Sequence, residues 1–113
     1  MMTNKRMLAA LVASLLPMAA HAAGDPERGR EKSQVCVACH GTDGNGVADP
    51  QYPFLAGQYA DYLVHAMRSY KTGDRQNVVM QGFMQTLNDQ DIEDLAAFYA
   101  SQPSKLDDLS HLK

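Results

Sequence analysis

Cys36-Val37-Ala38-Cys39-His40 (CVACH) is the stretch on which the fold turns. Its two thiols lie three residues apart, within one helical turn and its exit. Both can therefore reach the two vinyl groups on one edge of a porphyrin. The histidine that follows then falls under the ring and can offer an imidazole nitrogen to iron. C-x-x-C-H is the signature of c-type haem attachment. Other uses of paired cysteines fit less well. A Cys36–Cys39 disulfide would close too short a loop to stabilise much. A thioredoxin-like redox pair needs a βαβ setting, and no strand pattern lies nearby. A zinc site needs two further ligands at suitable spacing, and there is no second cysteine pair. One covalent haem c, held through Cys36 and Cys39 with His40 on the iron, is the expectation.

Upstream of the motif the chain reads as an export leader. Lys5 and Arg6 make a basic start, and Met7 to Ala20 is apolar apart from Ser14 and the breaker Pro17. Ala20-His21-Ala22 then supplies small residues for a cut after Ala22. A retained anchor would need ~20 uninterrupted apolar residues, and this core is shorter. The expected division is a cleaved secretory signal peptide over 1–22, a single domain over 23–103, and a loose polar tail over 104–113. Cleavage leaves 91 of the 113 residues, enough for one compact domain.

The leader carries two of the ten basic residues, so the rest has eight Lys and Arg against thirteen Asp and Glu, a formal charge of −5. Nucleic acid, which demands a basic face, is excluded as a partner. An acidic surface suits proteins with a basic docking patch. A small domain also needs a staple, and a covalent haem would provide one.

The remaining pattern is helical, with no run of period two. Asp25-Pro26 reads as an N-cap and first helical position, opening a helix from Pro26 to about Val35. Gly41 to Gly46 is a polar turn region, and Asp49 to Gly57 an irregular loop with two prolines. A second helix covers about Gln58 to Thr72 and stops at Gly73. Tyr59, Tyr62, Leu63, Ala66, Met67 and Tyr70 share one face that should be buried. His65 falls off that arc and should face solvent. Asp74 to Leu87 reads as a loop. Asn88 caps a last helix with Ile92, Leu95, Ala96 and Tyr99 in phase. Its first turns are crowded with Asp89, Asp91, Glu93 and Asp94, where the helix dipole favours negative charge. Loops this long need something to enclose; a haem would serve.

The sixth iron position decides between electron exchange and ligand binding, and methionine opposite histidine raises the reduction potential. Met67 fits the core. Met80 and Met84 lie in the expected loop, and spacing alone does not choose between them. His65 and His111 are weaker candidates.

At this point a resemblance becomes specific. The stretches Gly24-Asp25, Gly29, Cys36 to His40, Asp43-Gly44-Asn45, Tyr52 to Gln58 (YPFLAGQ), Tyr62-Leu63, Met80-x-Gly82 and Leu87 to Gln102 (LNDQDIEDLAAFYASQ) resemble a class I c-type cytochrome. The likeness is to one domain of the bacterial dihaem tandem cytochromes and to their single-haem relatives. It implies an all-α fold of about three to four helices wrapped around one haem. It implies Met80 as the axial ligand, seven residues ahead of Leu87, with Met84 in the pocket. It further implies that the Pro53 carbonyl accepts a hydrogen bond from His40, fixing the ring. Tyr52, Phe54 and Leu63 would wall the haem, and Gly29 would mark the crossing of the first and last helices against Phe98 or Tyr99.

The function so implied is outer-sphere transfer of single electrons in the periplasm, without enzymatic chemistry. The partners would be a reductase and an oxidase. After cleavage the chain would be a monomer with no stable membrane insertion. The alternative is a dedicated cytochrome subunit of a larger dehydrogenase or oxidase complex.

Overall fold

The computed structural model describes residues 23–106. The expected leader over 1–22 and the tail from 107 onward lie outside the described residues. Among the described residues the chain is helical, with no strand.

Helix α1 runs Pro26–Lys32. It starts where the Asp25 carboxylate accepts from the amides of Glu27 and Arg28, with Pro26 in the first turn, where no amide is needed. It ends earlier than the sequence suggests. Ser33 to Val35 tighten into a 3-10 turn, as the Ser33 hydroxyl donates back to the Arg30 carbonyl at 2.8 Å and competes with the helical ladder. The attachment motif forms its own short helix, α2, Val37–His40.

Helix α3 spans Ala60–Thr72 and stops at Gly73, whose left-handed backbone (φ 89°) returns the chain. Helix α5, Asp89–Ala100, opens with a reciprocal capping box between Asn88 and Asp91. Between them the structure departs from the expected loop: Val78–Gln85 is a helix, α4. The cause is local. The Asn77 side chain caps it by accepting from the Met80 amide at 3.0 Å. Among the described residues α1, α3 and α5 are thus joined through α2 and α4.

The frame is the crossing of α1 on α5, with α3 laid against α5 and α4 against α3. The crossing is close because Gly24 and Gly29 lack side chains. A Cβ on Gly24 would meet the Glu93 carbonyl, and one on Gly29 the Asp94 carbonyl and the Phe98 Cβ. Beneath it Leu63, Val64, Ile92, Leu95, Ala96, Phe98 and Tyr99 form the core, with Cys36, Leu55, Met67 and Leu87 packed on its edge. Ile92 and Leu95 are sealed from solvent, each contributing about 1.5–3 kcal/mol.

Two aspartates assigned to dipole compensation do more than that. Asp94 is buried and takes the Arg28 guanidinium at 2.8 Å, and Asp91 takes Lys32 at 3.0 Å. The first residues of the expected loose tail are also pinned. Asn45 donates to the Pro103 carbonyl at 2.9 Å and accepts from the Lys105 amide at 2.7 Å.

Candidate functional site

The helices enclose a cavity of about 530 Å³ between α2, the 49–57 loop, α3 and α4. Its size falls within the ~300–1,000 Å³ typical of cofactor sites. Cys36, Cys39 and His40 all line it, because Cys36 caps α2 and the other two follow within its single turn. The amides of Cys39 and His40 both bond to the Cys36 carbonyl, at 3.3 and 2.9 Å.

His40 is 6 % exposed. Its Nδ1 lies 3.0 Å from the Pro53 carbonyl. A carbonyl only accepts, so Nδ1 is the donor, and in the neutral ring Nε2 is the nitrogen with the lone pair. The Gly46 amide bonds to the His40 carbonyl at 2.8 Å and fixes the backbone as well. Tyr52 meets the imidazole edge-on, ring centres 6.4 Å apart. The loop holding Pro53 is itself tied to the turn after α2. Gly44, at φ 81°, accepts from the Leu55 and Ala56 amides, and a Cβ there would strike the Tyr99 ring. Only glycine meets both demands.

Met80 and Met84 lie one turn apart on α4, and both line the cavity. Met84 is only 3 % exposed and anchors the helix, whereas Met80 is half-buried. Tyr52, Phe54 and Leu63 also line it, as do Tyr62, Ala66 and Tyr70 of α3. The expected buried face of α3 is therefore divided. Leu63 and Val64 enter the core, while Tyr59 and Tyr62 remain exposed at its start. His65 is exposed, and the sequence reading put it there. Val64 and the cavity role of Tyr99 and Arg75 were not anticipated.

The chemistry of the donors fits a haem. Cys36 and Cys39 are free thiols. Burial pushes the Cys36 thiol up, opposite to the lowered thiols of redox pairs. Its closeness to Cys39 pushes the Tyr52 phenol up. The Tyr99 hydroxyl is buried beside Cys36 without a hydrogen-bond partner among the described residues, and burial pushes its phenol up too. Two thiols, an imidazole and two thioethers line one largely apolar space, a set that suits iron porphyrin ligation.

The family model described as Cytochrome c matches residues 26–102. The chain belongs to the cytochrome c family. It is a haem c protein, the haem being covalent, and the spacing of Cys36 and Cys39 fits that attachment. Cytochrome c4 of Pseudomonas aeruginosa is 46% identical over 99 residues, covering 88% of this chain and 49% of that protein. Cytochrome c-554(548) of Halomonas halodenitrificans is 48% identical over 83 residues, covering 71% of this chain and 99% of that one. Among solved structures, reduced recombinant cytochrome c4 from Pseudomonas stutzeri matches with a TM-score of 0.70 at 41% identity, over 74% of this chain and 48% of that chain. The chain spans about half the length of the cytochrome c4 relatives it matches. It is thus a class I c-type cytochrome related to one domain of the dihaem cytochromes, as the quoted stretches imply. Among the described residues no helix is long and apolar enough to cross a membrane.

Proposed function

We propose that this cytochrome c is a periplasmic single-electron carrier, its haem bonded to Cys36 and Cys39 and its iron held between His40 and Met80. When bound, the haem supplies the one-electron iron couple. The chain supplies position and environment. Pro53 holds His40 in one tautomer and one orientation, which raises ligand basicity. Helix α4 brings Met80 to the same cavity, where its thioether would complete the ligand pair. Tyr52, Phe54 and Leu63 exclude water from the ring. With both iron positions filled by His40 and Met80, reorganisation would be small, and electron exchange would call on no acid, base or nucleophile.

The observation that carries this reading is the His40–Pro53 contact in an apolar cavity that Met80 of α4 also lines. Met80 is preferred over Met84 because Met84 is sunk into the protein, where it secures α4, while Met80 is nearer the open side. The leader-like pattern read over 1–22 supports the periplasm, and the acidic balance of the remaining chain supports partners with basic docking patches.

The test is a visible spectrum with redox titration of the wild type beside Met80→Leu and Met84→Leu. Loss of the far-red iron–sulfur band and of the high potential only in Met80→Leu is the expected outcome. Loss only in Met84→Leu would reassign the ligand. Rapid carbon monoxide binding by the reduced wild type would mean an open iron site. The alternative of a fixed subunit of a larger complex predicts co-purification with that complex, whereas the carrier migrates alone.

A further inference from the structure

We propose that the Tyr99 hydroxyl donates a hydrogen bond to the Cys36 sulfur once the haem is attached, and so positions that linkage. The proposal rests on the haem reading above. Tyr99 is 3 % exposed and lines the cavity, yet its hydroxyl has no hydrogen-bond partner among the described residues. A buried donor left unpaired costs free energy, and nearly all buried polar groups are satisfied. Phenylalanine would fill the same space without that cost. The phenol oxygen calls for a partner.

Tyr99 is held too firmly to seek that partner elsewhere. Its carbonyl accepts from the Gly57 and Gln102 amides, at 2.9 and 3.2 Å. Its ring packs on Phe98, centres 4.9 Å apart, and its Cδ1 lies where a Cβ on Gly44 would come within 2.7 Å. The hydroxyl is thereby kept beside two side chains, Cys36 and Ser33. These stand in line because three residues make one turn of the 3-10 segment. The Cys36 amide closes that turn on the Ser33 carbonyl at 2.8 Å.

The available protons then decide the direction. Ser33 is buried and gives its hydroxyl proton to the Arg30 carbonyl at 2.8 Å, so towards Tyr99 it can only accept. That bond also pins its oxygen, which in this place does not meet the phenol. Cys36 is a free thiol, and turning about its Cα–Cβ bond moves the sulfur. Attachment adds its S–H across a vinyl group of the haem. A sulfur–carbon bond forms at the carbon next to the ring, and the proton goes to the terminal carbon. The sulfur is left with lone pairs and no proton. Of the three side chains only Tyr99 then has a proton to give, and burial keeps that proton on the phenol. The sulfur, in the cavity that both residues line, is the acceptor.

Proton magnetic resonance of the reduced, haem-loaded protein tests this. The Tyr99 hydroxyl proton should exchange slowly and show cross-peaks to the Cys36 β-protons and to the haem protons of that linkage. Tyr99→Phe removes one oxygen and keeps the ring. It should shift the resonances of the Cys36 linkage, leave those of the Cys39 linkage in place, and keep the six-coordinate spectrum. Because a formed hydrogen bond is lost, the variant should unfold at lower denaturant than the wild type.

A hydroxyl proton averaged with solvent, or with cross-peaks running only to Ser33 or to water, would overturn the assignment. That measurement is made on the wild type and needs no variant to mature. A Tyr99→Phe protein that unfolds at higher denaturant would overturn it equally, since the wild-type hydroxyl would then be unpaired. A colourless wild type would remove the haem reading and this assignment with it. A coloured wild type with either contrary result removes this assignment alone.

Discussion

The crossing of α1 and α5 and the α4 wall of the cavity are built on different principles. At the crossing the protein satisfies itself. Backbones touch across Gly24 and Gly29, Ile92 and Leu95 are sealed, and Asp94 accepts from the Asp25 amide, the Arg28 guanidinium and Gln90 at 2.7 to 3.1 Å. Helix α4 has little of this. Val78 is 87 % exposed, Val79 and Phe83 are exposed too, and Met84 is its sole buried side chain. It is held by the Asn77 cap, by Gln85 donating to the Lys71 carbonyl at 2.8 Å, and by Lys71 donating to the Leu87 carbonyl. One region is a frame that keeps its shape from its own contacts. The other is a wall whose apolar side faces the cavity. Damage to the frame should cost the fold, while damage to the wall should cost the site.

The largest effect expected from this contrast is at Gly29. Gly29→Ala would drive a methyl into the Asp94 backbone, which cannot rotate away as a side chain can. Chemical unfolding should show a loss of ~3 kcal/mol or more, or no folded product. A near-neutral result would mean that the helices are not locked at this crossing.

Next comes Asp94. Its hydrogen bond to Arg28 holds the carboxylate down to about 2, against ~3.9 for an unfolded chain. The folded state therefore binds this proton less readily than the unfolded state. The resulting stability is present above about pH 4 and is lost as pH falls towards 2. Asp94→Asn should cost about 2 kcal/mol at neutral pH and flatten the acid limb of a thermal-melting series over that window. An unchanged acid limb in the variant would place the acid sensitivity elsewhere.

The smallest effect belongs to the wall. Asn77→Ala removes the cap of α4, worth about 1 kcal/mol locally. The far-red iron–sulfur band should bleach at lower temperature or denaturant than the helical circular dichroism, which should melt nearly as in wild type. If both transitions moved together by the same amount, wall and frame would be one cooperative unit.

What the sequence made legible follows the same division. Frame features have strong local signals. Asp25-Pro26, Gly73 and Asn88 each mark a position where one backbone demand has few chemical solutions, and the structure puts each where it was read, while Gly29 at the crossing followed from the family resemblance. The attachment motif was legible because two thiols and an imidazole at that spacing have one good use. The wall was not. Val78-Val79 and Gly82 are poor helix formers, so eight residues carrying them read as a loop. The available signal was Asn77 followed by methionines four apart. The burial of Asp91 and Asp94 was hidden for another reason. An acidic first turn looks the same whether it faces water or Arg28 and Lys32, and only the α1–α5 contact separates the two. The arc on α3 mixed core and cavity positions because periodicity reports an apolar face and not what lies opposite it.

The account as a whole requires that a porphyrin be joined to Cys36 and Cys39. Intact-mass measurement of the exported protein, from a host that matures such cytochromes, tests this most directly. A red product heavier by one haem, with the mass gain abolished in a Cys36→Ala/Cys39→Ala double variant, is the predicted result. A colourless product at the unmodified polypeptide mass would contradict it.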